Sequence, residues 1–166
     1  MSTITAIASV IFFDAGVMAK KVDDKCTLAT AIFARGSGQE LNAKEAQTFR
    51  KQLQDRVGKD KLNFYKLGSE SYGGNQYPAV DVSNVWNGNA IGAKLSGGMG
   101  NDYGKSVRQG VAELQAYLDA RHRKCPNEFF ILGGISQGAQ VVGQALPNIS
   151  SGVKNKIVFN MLFGDP

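Results

Sequence analysis

The stretch that decides the fold is FFILGGISQGAQVV, residues 129–142. In it, an apolar run of strand length is followed by a glycine-rich turn and then by a segment that favours a helix. The turn contains a G-x-S-x-G pattern from Gly134 to Gly138, with Ser136 at its centre. A serine on a sharp strand-to-helix turn projects its hydroxyl from the carboxyl edge of a sheet, where it can act as a nucleophile. The N–H of Gln137 opens the helix and can therefore face the oxyanion that forms when such a serine attacks a carbonyl.

Strand and helix patterns alternate on both sides of this stretch. We predict strands over 28–34, 62–67, 128–132 and 157–163, helices over 42–57, 105–122 and 137–146, and mostly irregular loop over 68–104. Asn42 is the expected cap of the first helix, and Gly58 is expected to end it. This order of elements implies an α/β fold, in which helices cover both faces of a central parallel sheet.

Length and composition indicate one globular domain without a nucleic-acid partner. The chain has 166 residues, and 43% of them are hydrophobic, which is enough for a single core. The net charge of +5 comes from 19 basic and 14 acidic residues. Because these residues are spread along the chain and form no dense basic block, we interpret them as solvated surface charge.

The amino terminus has features of a secretory signal peptide. Residues 4–13 are apolar, and Val17-Met18-Ala19 resembles a cleavage site for a mature domain over 20–166. Two features oppose this interpretation of residues 1–19, because no Lys or Arg precedes the apolar run and Asp14 interrupts it. An uncleaved anchor is disfavoured, because the run is much shorter than the ~20 residues that a span needs. We therefore expect no stable membrane insertion.

The two cysteines stand at equivalent places before two strands. Cys26 precedes Ser37 by eleven residues, and Cys125 precedes Ser136 by the same number. In a parallel sheet such equal offsets put both cysteines at the amino edge, within reach of a disulfide. The alternative is two unpaired thiols in a reducing compartment. We favour the disulfide, and with it an oxidising compartment.

The loop over 68–104 carries three large aromatic side chains, Tyr72, Tyr77 and Trp86. So long an irregular stretch in a compact domain is usually functional. The aromatic rings could contact a ligand at the rim of a site, but packing beneath the loop is the interpretation we favour.

Taken together, these motifs resemble the cutinase family of serine esterases, which includes acetylxylan esterases and cutinase-like lipases. The resemblance covers residues 26–166. It is carried by Cys26, Ala34-Arg35-Gly36-Ser37, Tyr77-Pro78-Ala79, the helix region 103–117, Cys125-Pro126, residues 134–142 and Phe163-Gly164-Asp165-Pro166. The family usually has tyrosine where this chain has Ile135, which is a small departure.

The resemblance implies an α/β-hydrolase-like three-layer sandwich that works without a metal or an organic cofactor. Ser136 then matches the nucleophile, and Ser37 and the Gln137 N–H match the oxyanion hole. Cys26 and Cys125 match the disulfide of the family. The site is expected to be open, without a large lid.

A base and an acid for the serine are missing from the pattern. The hydrolase order places Asp or Glu and then His after the serine, but no histidine follows Ser136. The single histidine, His122, closes the preceding helix at the amino edge, roughly 15–20 Å from the carboxyl edge. In the family the aspartate that matches Asp165 is not the triad acid, so a turn-capping role is expected. We therefore expect a fragment that lacks a carboxyl-terminal strand and helix, with residual activity and poor solubility.

Three functions follow from these patterns. The first is a secreted, monomeric serine esterase that acts on polyester, acetylated polysaccharide or lipid through an acyl-enzyme on Ser136. The second is a non-catalytic cutinase-like protein that binds a cell surface or a polymer. The third is a dinucleotide-binding domain, because Gly36-Ser37-Gly38 follows the first strand. That pattern fails at its third glycine, since Leu41 stands there.

Overall fold

The computed structural model describes residues 25–81 and 102–164. The predicted signal peptide, Trp86 and Asp165 lie outside these ranges. The strands are β1 (Ala29–Ala34), β2 (Leu62–Lys66), β3 (Phe129–Ile135) and β4 (Ile157–Phe163). The α-helices are α1 (Lys44–Val57), α2 (Asp102–Lys124), α3 (Gln137–Ala145) and α4 (Ser151–Lys154), and short 3-10 turns cover Lys59–Lys61 and Leu146–Asn148.

The four strands form one parallel sheet in the order β2-β1-β3-β4. All six residues of β1 are buried, which explains why this central strand is a continuous apolar run in the sequence. Its partner β3 lies in register with it, so that Ala34 pairs with Gly134 at the carboxyl edge. The predicted parallel sheet is confirmed.

Helices cover both faces of the sheet and give three layers. On one face Ala31 and Phe33 of β1 pack with Phe49 of α1. On the other face Ile32 of β1 packs with Leu114 of α2, and these belong to the larger of the two cores. The alternation of neighbouring β1 residues between the two cores follows from the two-residue period of a strand. The predicted three-layer α/β architecture is confirmed.

The chain reverses its direction across the sheet between β1 and β3. From β1 it moves outward to β2, whereas from β3 it moves to β4 on the opposite side. In open α/β sheets, ligands bind beyond the carboxyl ends of the two strands at which the order reverses. This rule points to the loops that follow Ala34 and Ile135.

The predicted bounds of three elements were wrong. Helix α1 is capped by Ala43 without a side-chain hydrogen bond, and the side chain of Asn42 instead accepts a hydrogen bond from Lys66 at 2.9 Å. Helix α2 begins at Asp102 and ends at Lys124, so it is longer than predicted at both ends. Strand β3 continues to Ile135 because Gly134 and Ile135 still pair with Leu162 and Phe163 of β4.

The amino edge of the sheet is closed by a disulfide and a buried ion pair. Cys26 and Cys125 are bonded, with their Cα atoms 5.6 Å apart, so the predicted bridge is confirmed. Beside it, Arg121 Nε lies 2.5 Å from Glu128 Oε2, and neither side chain is exposed. Glu128 also accepts hydrogen bonds from the main-chain N–H and the hydroxyl of Thr27. These contacts tie the start of the described chain to α2 and β3.

No helix within 25–81 or 102–164 has the length and apolar character that crossing a membrane requires.

Candidate active site

Ser136 occupies a strained turn between β3 and α3. Its backbone has φ 51° and ψ −121°, a region that L-residues avoid and that glycine tolerates. Its amide donates to Phe163 O of β4 at 2.8 Å, which holds the turn against the edge of the sheet. Its side chain is exposed and makes no capping hydrogen bond to α3. The hydroxyl is therefore directed away from the helix and is accessible.

The two glycines of the G-x-S-x-G pattern allow close packing of this turn. A Cβ on Gly138 would lie 2.0 Å from Ala34 O, and one on Gly134 would lie 2.6 Å from Gly138 O. These are backbone atoms that cannot move aside. Only glycine at both positions therefore lets α3 start directly over the end of β1.

This close packing brings the Ser37 turn against the Ser136 turn. A Cβ built on Gly36 would lie 3.3 Å from Ile135 O. The Ser37 turn is held by two hydrogen bonds, from the Gln39 amide to Gly36 O at 3.1 Å and from the Gly38 amide to Ala79 O at 2.8 Å. The Oγ atom of Ser37 is buried, and it has no hydrogen-bond partner among the described residues.

Arg35 fixes the backbone immediately before the Ser37 turn. Its guanidinium group donates to Leu67 O at 2.8 Å, to Tyr77 O at 3.2 Å and to Pro78 O at 3.0 Å. Its Nε donates to Gln39 O at 2.8 Å. Burial lowers the pKa of Arg35, while Tyr77 and Glu113 oppose this shift. The group uses its donors on carbonyls, so it links the Ser37 turn to the loop over 67–78.

The side chain of Gln137 points into the protein and is fully buried. Its Oε1 accepts hydrogen bonds from the hydroxyls of Tyr77 at 3.0 Å and Ser106 at 2.9 Å. Its Nε2 faces Val80 O at 3.4 Å. The residue after the exposed serine is thus anchored between α2 and the loop that contains Tyr77.

Glu113 of α2 anchors the same loop from beneath. Its carboxylate accepts hydrogen bonds from the Tyr65 hydroxyl at 2.6 Å, the Gly68 amide at 2.8 Å and the Tyr77 amide at 2.5 Å. Burial raises the pKa of Glu113, while these hydrogen bonds and Arg35 oppose the shift. Three donors converge on two oxygens, so this side chain determines the path of the loop.

The single histidine lies at the other end of the sheet. His122 is near the carboxyl end of α2, three residues before Cys125, and a Cβ added to Gly152 of α4 would lie 3.4 Å from its Nε2. It is half-buried, and its Nδ1 has no hydrogen-bond partner within the described ranges. The expected placement at the amino edge is confirmed, and α4 packs against the side chain.

An apolar groove of 520 Å³ lies on the α1 face of the sheet. Its lining residues include Phe33, Phe49, Ile135, Met161 and Phe163. Ile135 precedes Ser136, and Phe163 accepts the Ser136 amide hydrogen bond. The groove therefore reaches the turn that carries the exposed serine. Within the described residues, no group of three or more His, Cys, Asp or Glu side chains could hold a metal ion.

The structure brings the turns of Ser37, Ser136 and Gln137, which the sequence singled out, to one edge of the sheet. Sequence reasoning missed the side-chain roles of Arg35, Ser106, Glu113 and Gln137. One signal was available, because the charged Glu113 directly precedes Leu114, a buried apolar residue of α2. Tyr72 and Tyr77 are buried, so the packing role that we favoured for them is confirmed.

Comparisons with known proteins point to one family. The family model of the cutinases matches residues 25–166. A carboxylesterase of Mycobacterium tuberculosis is 26% identical over 144 residues, which cover 86% of this chain and 54% of the relative. A probable cutinase of Aspergillus niger is 31% identical over 153 residues, which cover 92% of this chain and 51% of the relative. The chain thus spans about half the length of these relatives.

Solved structures show the same fold. The catalytic core domain of acetyl xylan esterase from Trichoderma reesei superposes with a TM-score of 0.61 at 20% identity, covering 86% of this chain and 65% of that one. A Trichoderma reesei cutinase in complex with a phosphonate inhibitor has a TM-score of 0.56 at 28% identity, covering 85% of this chain and 53% of that one.

Proposed function

Because the chain belongs to the cutinase family, we propose that it carries the nucleophile and the oxyanion hole of a carboxylic ester hydrolase. The observation that supports this most directly is the strained, exposed Ser136 at the carboxyl end of β3, against the Ser37 turn. Relatives named carboxylesterase and cutinase support ester substrates. The proposed substrates are a polyester, an acetylated polysaccharide or a lipid.

The proposed reaction proceeds through an acyl-enzyme. Ser136 Oγ attacks the ester carbonyl carbon and loses its proton to a base. The resulting oxyanion accepts hydrogen bonds from the main-chain N–H of Gln137 and from the N–H and hydroxyl of Ser37. The alcohol leaves with a proton from the base, and water then hydrolyses the ester on Ser136. No metal or organic cofactor takes part in this scheme.

Among its described residues, the chain places no histidine beside Ser136 that could act as the base of this scheme. Its single histidine lies near the disulfide at the amino edge of the sheet. Imidazole is the usual group that accepts the serine proton, and it must be within hydrogen-bond reach. We therefore propose low turnover for this chain by itself. Hydrolases without a triad member retain roughly 10³–10⁴-fold catalysis over water.

An ester assay with added imidazole tests the proposal. Hydrolysis of a short-chain fluorogenic ester is measured for the wild type and for Ser136→Ala, with and without imidazole as an external base. We expect slow wild-type turnover that imidazole increases, and a smaller rate for Ser136→Ala, which reports only the direct reaction of imidazole with the ester. Equal rates of the two proteins at every imidazole concentration would contradict a nucleophilic Ser136. Fast wild-type turnover without imidazole would show that a base is present.

The position of His122 favours a second candidate, a non-catalytic cutinase-like protein that binds a surface or a polymer. Such a protein keeps the fold without needing a base. It would sediment with an insoluble polyester or acetylated xylan and would show no Ser136-dependent hydrolysis. Sedimentation of the wild type and Ser136→Ala to the same extent, together with equal rates in the ester assay, would favour this candidate.

We also propose that the protein is secreted and that it is a monomer when dilute. The bond between Cys26 and Cys125 supports an oxidising compartment. The proposed signal peptide over residues 1–19 is consistent with export. Mass spectrometry of the protein recovered from the culture medium would test the signal cleavage and the disulfide. Cleavage near Lys20 and oxidation of the cysteine pair each change the mass.

A further inference from the structure

We propose that Tyr77 and Ser106 are positioning residues for the oxyanion hole. Through hydrogen bonds to the buried Gln137 side chain, they fix the direction of the Gln137 main-chain N–H beside Ser136. This inference rests on the proposed function, because it assigns a role to residues around the same site.

The geometry of Gln137 differs from that of an ordinary first residue of a helix. Such positions are usually solvated, but this side chain is fully buried. Tyr77 and Ser106, which contact its Oε1, are also fully buried. The carboxamide is therefore held between α2 and the loop that contains Tyr77. Since the side chain cannot rotate freely, the Cα of Gln137 and the peptide that precedes it are restrained as well.

Tyr77 also connects the two proposed donor turns. Its hydroxyl lies 2.9 Å from Arg35 O, two residues before Ser37, and 3.0 Å from Gln137 Oε1. Both of these atoms are acceptors, and a hydroxyl has one proton to donate. When that proton is directed to Arg35 O, Ser106 still donates to Gln137 Oε1. The Ser106 hydroxyl in turn accepts a hydrogen bond from the Val80 amide at 3.3 Å, which leaves its proton for Gln137.

Such an anchor is needed because the adjoining peptide is strained. Ser136 has φ 51° and ψ −121°, a conformation that persists only where its surroundings determine it strongly. A change in ψ of Ser136 would rotate the 136–137 peptide and turn its N–H away from the substrate oxygen. Loss of one oxyanion donor costs roughly 10²–10³-fold in kcat. A donor that is misaligned but present should cost less, roughly 10–100-fold.

The test compares Tyr77→Phe, Ser106→Ala and the double variant with a matched control. The control is Tyr117→Phe, which also removes a buried tyrosine hydroxyl, but one whose hydrogen-bond partner is Asn63 of β2. The readout is the imidazole-supported hydrolysis that exceeds the rate of Ser136→Ala. We expect roughly a 10–100-fold lower kcat for the double variant, a smaller decrease for each single variant and little change in KM. Tyr117→Phe should keep its kcat per folded molecule.

A second readout does not depend on catalysis. The ¹H–¹⁵N resonance of the Gln137 amide and its heteronuclear NOE report the environment and the mobility of the 136–137 peptide. We expect a shifted resonance and a lower NOE in Tyr77→Phe and Ser106→Ala, and no change in Tyr117→Phe. Unchanged Gln137 signals in both single variants would overturn the inference, whatever the ester assay gives.

The two readouts separate this inference from the proposed function. If the wild type shows no Ser136-dependent hydrolysis, the proposed function fails, and the amide signals still decide whether Tyr77 and Ser106 position Gln137. If hydrolysis depends on Ser136 but the double variant keeps its kcat, the positioning role is wrong while the esterase stands. If the double variant does not fold, the two single variants decide by the same criteria.

Discussion

At the scale of single residues, the site is defined by a serine in a conformation that serine disfavours. Two described residues other than glycine have positive φ, Ala79 and Ser136. A backbone in such a region costs about 1–3 kcal/mol and is found mainly at functional sites. The strain places the hydroxyl outside helix α3, so that it is exposed and is not used as a cap. Stability and function therefore make opposite demands on position 136.

This opposition predicts that Ser136→Gly is more stable than Ser136→Ala. Glycine adopts φ 51° without strain, whereas alanine retains the strain, and both variants lack the hydroxyl. Glycine loses more chain entropy on folding, which offsets part of this gain. We therefore expect the free energy of unfolding of Ser136→Gly to exceed that of Ser136→Ala by about 1 kcal/mol. This corresponds to a rise in Tm of about 2–4 °C for a chain of this size. Urea denaturation and calorimetry measure both quantities.

Ser151, the first residue of α4, supplies the control for this comparison. Position 151 is helical, so glycine there should be less stable than alanine, by less than about 0.5 kcal/mol because it is the first residue of a short helix. If glycine were also the less stable residue at position 136, the turn would not store strain.

At the scale of secondary-structure elements, β4 differs from β2, which is the strand at the other edge of the sheet and contains Lys66. Its sequence over 157–163, IVFNMLF, has no charged residue. Val158, Phe159 and Phe163 are 57%, 47% and 54% exposed. Among residues 25–81 and 102–164, no strand pairs with the outer edge of β4. A long, apolar and uncharged edge strand is a template for association between chains.

We therefore predict that Val158→Lys reduces self-association. A lysine at an exposed edge position disfavours pairing with another chain and should change the free energy of unfolding by less than about 0.5 kcal/mol. Size-exclusion chromatography with light scattering, over a range of protein concentrations, measures the effect. Leu28→Lys is the control, because Leu28 is 52% exposed but lies outside the strands. An equal decrease in association for both variants would show that β4 is not the associating element.

At the scale of the whole molecule, the amino edge holds the layers together and the carboxyl edge carries the site. The disulfide and the Arg121–Glu128 pair join the segment around Thr27 to α2 and β3. Arg121 also donates to Lys25 O at 2.9 Å. Burial would raise the pKa of Glu128, but hydrogen bonds from Arg121 and Thr27 outweigh it and hold this pKa below its usual value. The pair is therefore charged at neutral pH.

This lowered pKa predicts a loss of stability in acid. The unfolded chain takes up the proton near pH 4.5, before the folded chain does. The contribution of Glu128 is therefore fully present above this pH and is lost as the pH falls through the folded pKa. Urea denaturation of the wild type between pH 7 and pH 3 measures this loss.

Glu128→Gln isolates the part that belongs to this carboxylate. It should lower the free energy of unfolding at pH 7 by about 3–5 kcal/mol, because Arg121 stays buried without a counter-charge. Between pH 7 and pH 3, its free energy of unfolding should also fall by a smaller amount than that of the wild type. Glu113, whose pKa is raised, titrates with the opposite sign in both proteins and cancels in the comparison. Glu45→Gln, at an exposed position of α1, should keep the wild-type acid loss. If the free energy of unfolding of Glu128→Gln fell with pH in parallel with that of the wild type, the prediction would be contradicted.

Much of the fold could be predicted from the sequence, because strands and helices reflect local patterns. The continuous apolar run of β1 and the seven-residue run of β4 led to correct strands. The ends of elements were less predictable, because they depend on partners. Strand β3 extends past Leu132 since β1 and β4 continue to pair with it, and α1 starts without Asn42 since that side chain bonds Lys66.

The sequence by itself determined the family, the parallel sheet, the disulfide and the strand-turn-helix at Ser136. These features depend on neighbouring residues or on equal offsets along adjacent strands. Only the tertiary structure decided how Arg35, Tyr77, Ser106, Glu113 and Gln137 meet beneath the two serine turns. The Gln137 side chain meets Ser106 and Tyr77 across 31 and 60 residues of sequence. No local pattern specifies such contacts, because buried polar partners are selected by the packing of whole elements.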